Sequence, residues 1–316
     1  MRKILLLFLF AGWQSLFAQP CTTETMAAKT GKWKLGPQGS IRNIAAADLA
    51  KEKAFLVNLQ KKISAGFIPT GLEVHYSTVW NKGNETGYAG DPFHLAMYFL
   101  RYLCDDSPKG YYVEYSSATN VVVAANQLFG TEDIKAVPLE ADHFRGYIRL
   151  FQKPVIKDGA VYMGAELTDN GRIKEESWLI TRGDSLPFRF LSRKEYLLLT
   201  RAKLEKQKAS TDAYLKKYLD MVNTALQGTE KELSQIAVCN SSEEEHFTGF
   251  LREGERFSFY PVVPDMNYYK KGTARSAAQF ISVKYKYSIG DPVFDKNLQA
   301  IRYVLTFDYL RSLLVK

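Results

Sequence analysis

The sequence predicts an α+β fold: antiparallel sheet with helices packed against it. Three observations support this. Runs of period two are joined by hairpin turns instead of alternating with helices. An amphipathic helical pattern lies near the N-terminus. A helix-capping signature stands at Ser192. The chain has 316 residues, a formal net charge of +8 and three cysteines.

Residues 19–44 read as an irregular lead-in, punctuated by Gly31, Gly36, Pro37 and Gly39, with Trp33 as an anchor into a core. A helix is expected over 48–63. Leu49, Leu56, Leu59 and Ile63 form its apolar stripe, and Lys51, Glu52, Lys53, Lys61 and Lys62 lie between them. Gly66 and Pro69 stop it. The period then changes to two: Leu72, Val74, Tyr76, Thr78 and Trp80 alternate with Glu73, His75 and Ser77. Residues 95–104 fit either a strand or a buried helix. Strands are expected at 111–115 and 120–125, then at 146–151, 160–167 and 173–180. Asp158-Gly159 and Asp169-Asn170-Gly171 mark the hairpin turns between the last three.

Ser192-Arg193-Lys194-Glu195 is a capping box, flanked by Leu191 and Tyr196 where a hydrophobic staple would place them. One long helix is expected from here toward Leu226, with Gly228 as its stop. A break is admitted at Ser210-Thr211-Asp212, which are capping residues. Unbroken, about 35 residues would span roughly 50 Å. Strands at 256–263 and 279–287 follow, then one or two helical turns within 297–314. The region 19–316 forms one large domain, or two smaller ones with a boundary near 181–192.

Residues 1–18 read as a secretory signal peptide. Arg2 and Lys3 precede the apolar run Ile4–Phe10, and Leu16-Phe17-Ala18 offers a cleavage site. The apolar core is shorter than the roughly 20 residues a membrane span needs, and no later stretch is long enough. The expected destination is the periplasm or the medium. Pro20 before Cys21 does not fit a lipid-anchored cysteine. In an oxidising compartment three cysteines allow three single pairings. The expectation is Cys104 with Cys239, leaving Cys21 on a mobile lead-in.

At Leu186-Pro187-Phe188, at Ser192-Arg193-Lys194-Glu195-Tyr196-Leu197 and at Ala277-Ala278-Gln279-Phe280-Ile281-Ser282-Val283, the chain resembles a group of uncharacterised secreted proteins of Bacteroidota. The ending Phe17-Ala18-Gln19 agrees. The resemblance implies export and carries no activity or functional residue.

Motifs with known chemistry are missing. There is no Gly-x-Ser-x-Gly elbow, His-Glu-x-x-His pair, phosphate loop or dinucleotide fingerprint. Glu243-Glu244-Glu245-His246 reads as a solvated loop, since contiguous residues rarely converge on one ion. No metal or other cofactor is expected. Asp91, His94 and Ser77 would supply triad residue types, without a motif behind them. Arg182-Gly183-Asp184-Ser185 spells the integrin-binding tetrapeptide and equally makes a turn. The basic residues of 193–217 interleave with Glu195, Glu205 and Asp212, which suits a solvated helix face and not a nucleic-acid surface.

The loop 79–93 is the candidate ligand site. Trp80, Asn84, Tyr88, Asp91 and His94 combine aromatic platforms with amide, carboxylate and imidazole partners. The competing reading packs Trp80 and Tyr88 into the core. The expected function is an exported, non-catalytic protein that binds a ligand or partner. The alternative is a secreted hydrolase with dispersed catalytic residues.

Overall fold

The computed structural model describes residues 21–39, 44–80, 90–106, 109–129, 137–138, 146–207, 212–241, 246–270 and 272–315. Residues 1–18, expected to be a signal peptide, lie outside these. The expected α+β architecture is present: helices packed on a large, mostly antiparallel sheet.

The lead-in is more ordered than its composition suggests. It holds helix α1 (Thr23–Ala28) and strand β1 (Trp33–Leu35). Thr22 and Thr25 cap α1 reciprocally. Trp33 anchors as expected: its Nε1 donates to the Phe67 carbonyl at 3.3 Å, and its ring meets Phe67 edge-on at 5.9 Å. Helix α2 (Ala46–Gly66) buries Leu56, Leu59 and Ile63.

Strand β2 (Leu72–Trp80) runs into β3 (Phe93–Cys104), which decides the ambiguous 95–104 segment in favour of strand. Next come β4 (Tyr111–Val113), β5 (Asn120–Ala125), β6 (Gln127–Leu128), β7 (Val137–Pro138) and β8 (Ile148–Leu150). The hairpin of β9 (Val155–Lys157) and β10 (Ala160–Thr168) turns at Asp158-Gly159, both at positive φ, the geometry of a tight two-residue loop. Strand β11 (Ile173–Ile180) follows through Asp169, Asn170 and Gly171, all at positive φ. After β12 (Phe188–Phe190) come α3 (Arg193–Lys206), α4 (Ala213–Ala225), α5 (Glu230–Leu233), β13 (Cys239–Asn240), β14 (Ser258–Pro264), β15 (Ile281–Ser288), α6 (Pro292–Val304) and α7 (Phe307–Ser312).

The large sheet has the order β1-β2-β3-β5-β15-β11-β10-β9, with β4 on β3. Only β1 and β2 are parallel among its described pairs. One face carries Val74, Phe93, Leu95, Val123, Val283 and Trp178. It packs on α2, α6 and α7 to form the main core. The second sheet orders β12-β14-β13, with β8 on β14. A second cluster joins it to the large sheet through Val161, Met163 and Leu179, and a third lies between it and α3–α4. The helices therefore do not share one side of one sheet, as α2 and α3 serve separate cores.

The helix after Ser192 starts where predicted. The Ser192 Oγ accepts from the Glu195 backbone N–H at 3.2 Å, and the Glu195 carboxylate accepts from the Ser192 N–H at 2.9 Å. Leu191 and Tyr196 are both buried in the third cluster. It is not one long helix, however. α3 ends at Lys206 and α4 begins at Ala213, because the Asp212 carboxylate accepts from the N–H groups of Tyr214 and Leu215. The final segment is likewise two separate helices, α6 and α7.

The cysteine pairing is corrected. Cys21 pairs with Cys104, with Cα atoms 5.6 Å apart, and Cys239 is a buried free thiol. The capped helix α1 packs beside β3 and so delivers Cys21 to the end of that strand. Cys239 lies in the third core cluster, where burial pushes its thiol up to about 12.

Ser192→Ala should cost about 1 kcal/mol in denaturant unfolding by stripping the first-turn donors. Peptide mapping without reduction should recover Cys21 joined to Cys104 and only Cys239 alkylated. Replacing Cys104 by Ser should cost about 2–4 kcal/mol.

Candidate functional site

Of the predicted ligand residues Trp80, Asp91 and His94 are described, and each makes its own separate contacts. Trp80 closes β2 with its ring in the main core, 6% exposed, directly opposite Phe93 in the strand register. The Lys53 Nζ lies 5.6 Å from its ring centre. His94 follows Phe93 and so projects from the other face of β3. Its Nδ1 is 3.3 Å from Gln127 Oε1, and burial lowers its pKa, leaving a neutral imidazole at physiological pH. Asn84 and Tyr88 lie outside the described residues.

Asp91 is a structural clamp. It is 2% exposed, and the Arg275 Nε donates to its carboxylate at 2.8 Å. The Asp91 N–H donates to the Arg275 carbonyl at 2.6 Å. Asn126, at φ +57°, donates from Nδ2 to the carbonyls of Asp91 and Ala277 and accepts from the Gln279 N–H. Gly90 is required here: a Cβ would sit 2.5 Å from the Arg275 carbonyl and from Asn126 Nδ2. Asp91 engages Arg275 while His94 engages Gln127, so the triad residue types are not assembled.

The same end of the sheet holds a buried acidic residue among the apolar positions of α2. Glu52 of α2 is fully buried, and among the described residues neither carboxylate oxygen has a hydrogen-bond partner. Burial pushes its pKa up to about 8, helped by the charges of Asp91 and Asp48 and opposed by Arg275. Its neighbour Asp48 accepts from the Ser276 hydroxyl at 2.8 Å. The signal was available. Position 52 continues the 49, 56, 59, 63 stripe at spacings of three and four.

A cleft of about 410 Å³ lies elsewhere, where α6 meets α7 over the sheet. Trp178 of β11 and Tyr285 of β15 contribute to its lining from the sheet. Arg302 and Leu305 come from the end of α6. Thr306, Phe307 and Asp308 come from the start of α7, and Asp158 from the β9–β10 turn. The Trp178 ring lies 4.9 Å from Tyr162, its cross-strand partner, and 5.0 Å from Phe307. Arg311 joins the walls: it donates to the Gly159 carbonyl and to Asp308. Arg302 lies with its guanidinium 4.5 Å from the Tyr285 ring centre and donates to Glu176, which Lys174 also pairs at 3.1 Å.

The resolved pKa shifts around this cleft all move away from neutrality. Burial pushes Tyr285 up to about 12 and raises Tyr162, and the bond to Glu176 raises Lys174. These groups hold one protonation state near pH 7.

Other candidates are absorbed by structure. Arg182 donates to the Tyr268 carbonyl at 2.7 Å and lies over its ring, while Gly183 at φ +66° makes the turn. The His246 ring stacks on Tyr218 at 4.3 Å, and among the described residues no cluster could hold a metal ion. Glu243, Glu244 and Glu245 lie outside the described residues. On the basic helices Arg201 pairs with Glu205 and Lys216 with Asp220.

No family model matches the chain, and no curated protein or solved structure matches it significantly.

Glu52 predicts a pH dependence. The folded protein holds this proton up to about 8, whereas an unperturbed carboxyl releases it near 4.5. Its contribution to stability is greatest below about 4.5, declines as pH rises from 4.5 to 8 and is flat above that. Glu52→Gln keeps the shape without the charge. It should remove this decline, so its advantage over the native protein grows to the order of a few kcal/mol at pH 9. Unfolding curves at pH 5 and pH 9 measure it, and equal effects at both would contradict a buried neutral carboxyl.

Proposed function

We propose that the chain is an exported, non-catalytic protein that holds a small polar ligand in the cleft between α6, α7 and the β9–β10 turn. One observation carries this reading. The cleft joins apolar ring surface from Trp178 and Phe307 to polar groups already fixed by the protein. Small-molecule sites have this composition, and a volume near 410 Å³ falls in their usual range. Fixed polar groups also lower the ordering cost of binding.

The groups with shifted pKa beside the cleft favour binding over catalysis. General acid–base work needs a group that titrates near the operating pH. Tyr162, Tyr285 and Lys174 are displaced from it. Glu52 does titrate near it, but it is enclosed and is not among the cleft's lining residues.

Export is supported by the leader pattern and by the Cys21–Cys104 disulfide, which suits an oxidising compartment. Among the described residues no helix is long and apolar enough to cross a membrane. Mass spectrometry of protein recovered from its host should find a mature N-terminus after Ala18.

Ligand holding is tested by thermal shift against a panel of sugars, sugar acids, amino acids and dipeptides. At least one class should raise the melting temperature. Phe307→Ala should weaken that binding about tenfold or more, roughly 1.4 kcal/mol. Turnover of chromogenic glycosides or esters that Phe307→Ala abolishes would give the site to a hydrolase instead.

A further inference from the structure

The charges around the cleft are not evenly placed, and their placement describes the ligand. Glu176 is 5% exposed and is shared by two cations, Lys174 and Arg302. One negative charge beside this wall is therefore shared by two positive ones, of which Arg302 lines the cleft. Arg302 gives an Nη2 N–H to Glu176, and its side chain is still 42% exposed. A guanidinium has five N–H donors in a flat fork. Those not used on Glu176 are left for solvent or ligand. The fork is also held in place, since Tyr285 lies beneath it and Tyr287 is 5.8 Å away. A fixed, planar, partly unused guanidinium is the arrangement that takes a carboxylate through two parallel hydrogen bonds.

The turn and α7 side has the opposite character. Asp308 is balanced by Arg311 at 2.8 Å, and Asp158 sits at the tip of the β9–β10 turn. Carboxylates only accept, so this side calls for hydrogen-bond donors on the ligand. Between the two ends lies the apolar surface of Trp178, Leu305 and Phe307.

We propose that the cleft selects small ligands bearing a carboxylate at one end, taken by Arg302, and hydroxyl or ammonium donors at the other, taken by Asp158 and Asp308. This rests on the cleft being the binding site. Sugar acids and free amino acids share this chemistry. Arg302 is the specificity-determining residue, because it supplies the free planar fork on the cleft wall.

Paired probes separate these cases. Calorimetry would compare galacturonate with galactose and tyrosine with tyramine, using the native protein, Arg302→Gln and Arg302→Lys. The expected result is that one acid binds at least tenfold tighter than its acid-free partner. Arg302→Gln removes that preference by weakening the acid at least tenfold more than its acid-free partner. Arg302→Lys keeps a charge beside Glu176 and so maintains folding if the glutamine variant does not. It loses the fork and most of the preference. The pair that responds identifies sugar acid or amino acid. Equal binding within both pairs, or a preference that survives both variants, overturns the proposal and leaves the cleft as a site of other specificity. Binding by neither pair overturns it as well. If the wider panel also fails to bind, the cleft reading falls with it.

Discussion

Strand β15 is inserted between β5 and β11, and the large sheet has no continuous ladder without it. Its residues 281–286 pair with 125–120 on one side, and 281–288 pair with 180–173 on the other. Both partners come from far earlier in the chain, so the sheet cannot close until the C-terminal region arrives. Long-range pairing of this kind carries a loop-closure cost before any contact offsets it. That cost is offset by the core face, where Ile281, Val283 and Tyr285 are almost completely buried.

The clamp around Asp91 follows from the same insertion. The segment entering β15 carries Arg275, Ala277 and Gln279, and each bonds to Asp91 or Asn126. Asn126 accepts the left-handed backbone that lets its amide bridge both segments. A residue that composition offers as a ligand contact therefore serves to register strands. Glu52 lies against this clamp as a carboxyl kept neutral by enclosure, since an ionised carboxylate without a partner is costly to bury.

The cleft depends on β15 too. Tyr285 supports Arg302 from the strand, and the chain leaving β15 supplies α6 and α7, which build two of its walls. Trp178 of β11 and the β9–β10 turn, which Arg311 ties to α7, complete it. Core and cleft share residues: Trp178, Tyr285 and Leu305 belong to both. Changes made to the cleft are therefore read with a stability measurement beside them.

Local chemistry alone determined much of the secondary structure. The Ser192 cap, the Asp158-Gly159 turn and the alternation of 72–80 act over a few residues, so their physics is complete within a short window. The Asp212 stop belongs here as well, since its carboxylate caps the next helix from within one turn. Tertiary structure decided the rest, because the deciding partners are distant. Cys21 meets Cys104 across 83 positions, Arg302 meets Glu176 across 126, and Arg275 meets Asp91 across 184. Glu52 was legible only as a member of the helical stripe. That its carboxyl is neutral follows from the enclosure and the nearby Asp48 and Asp91 charges that folding brings together. The cleft left no local pattern, since its walls come from four separate parts of the chain and exist only once β15 joins them.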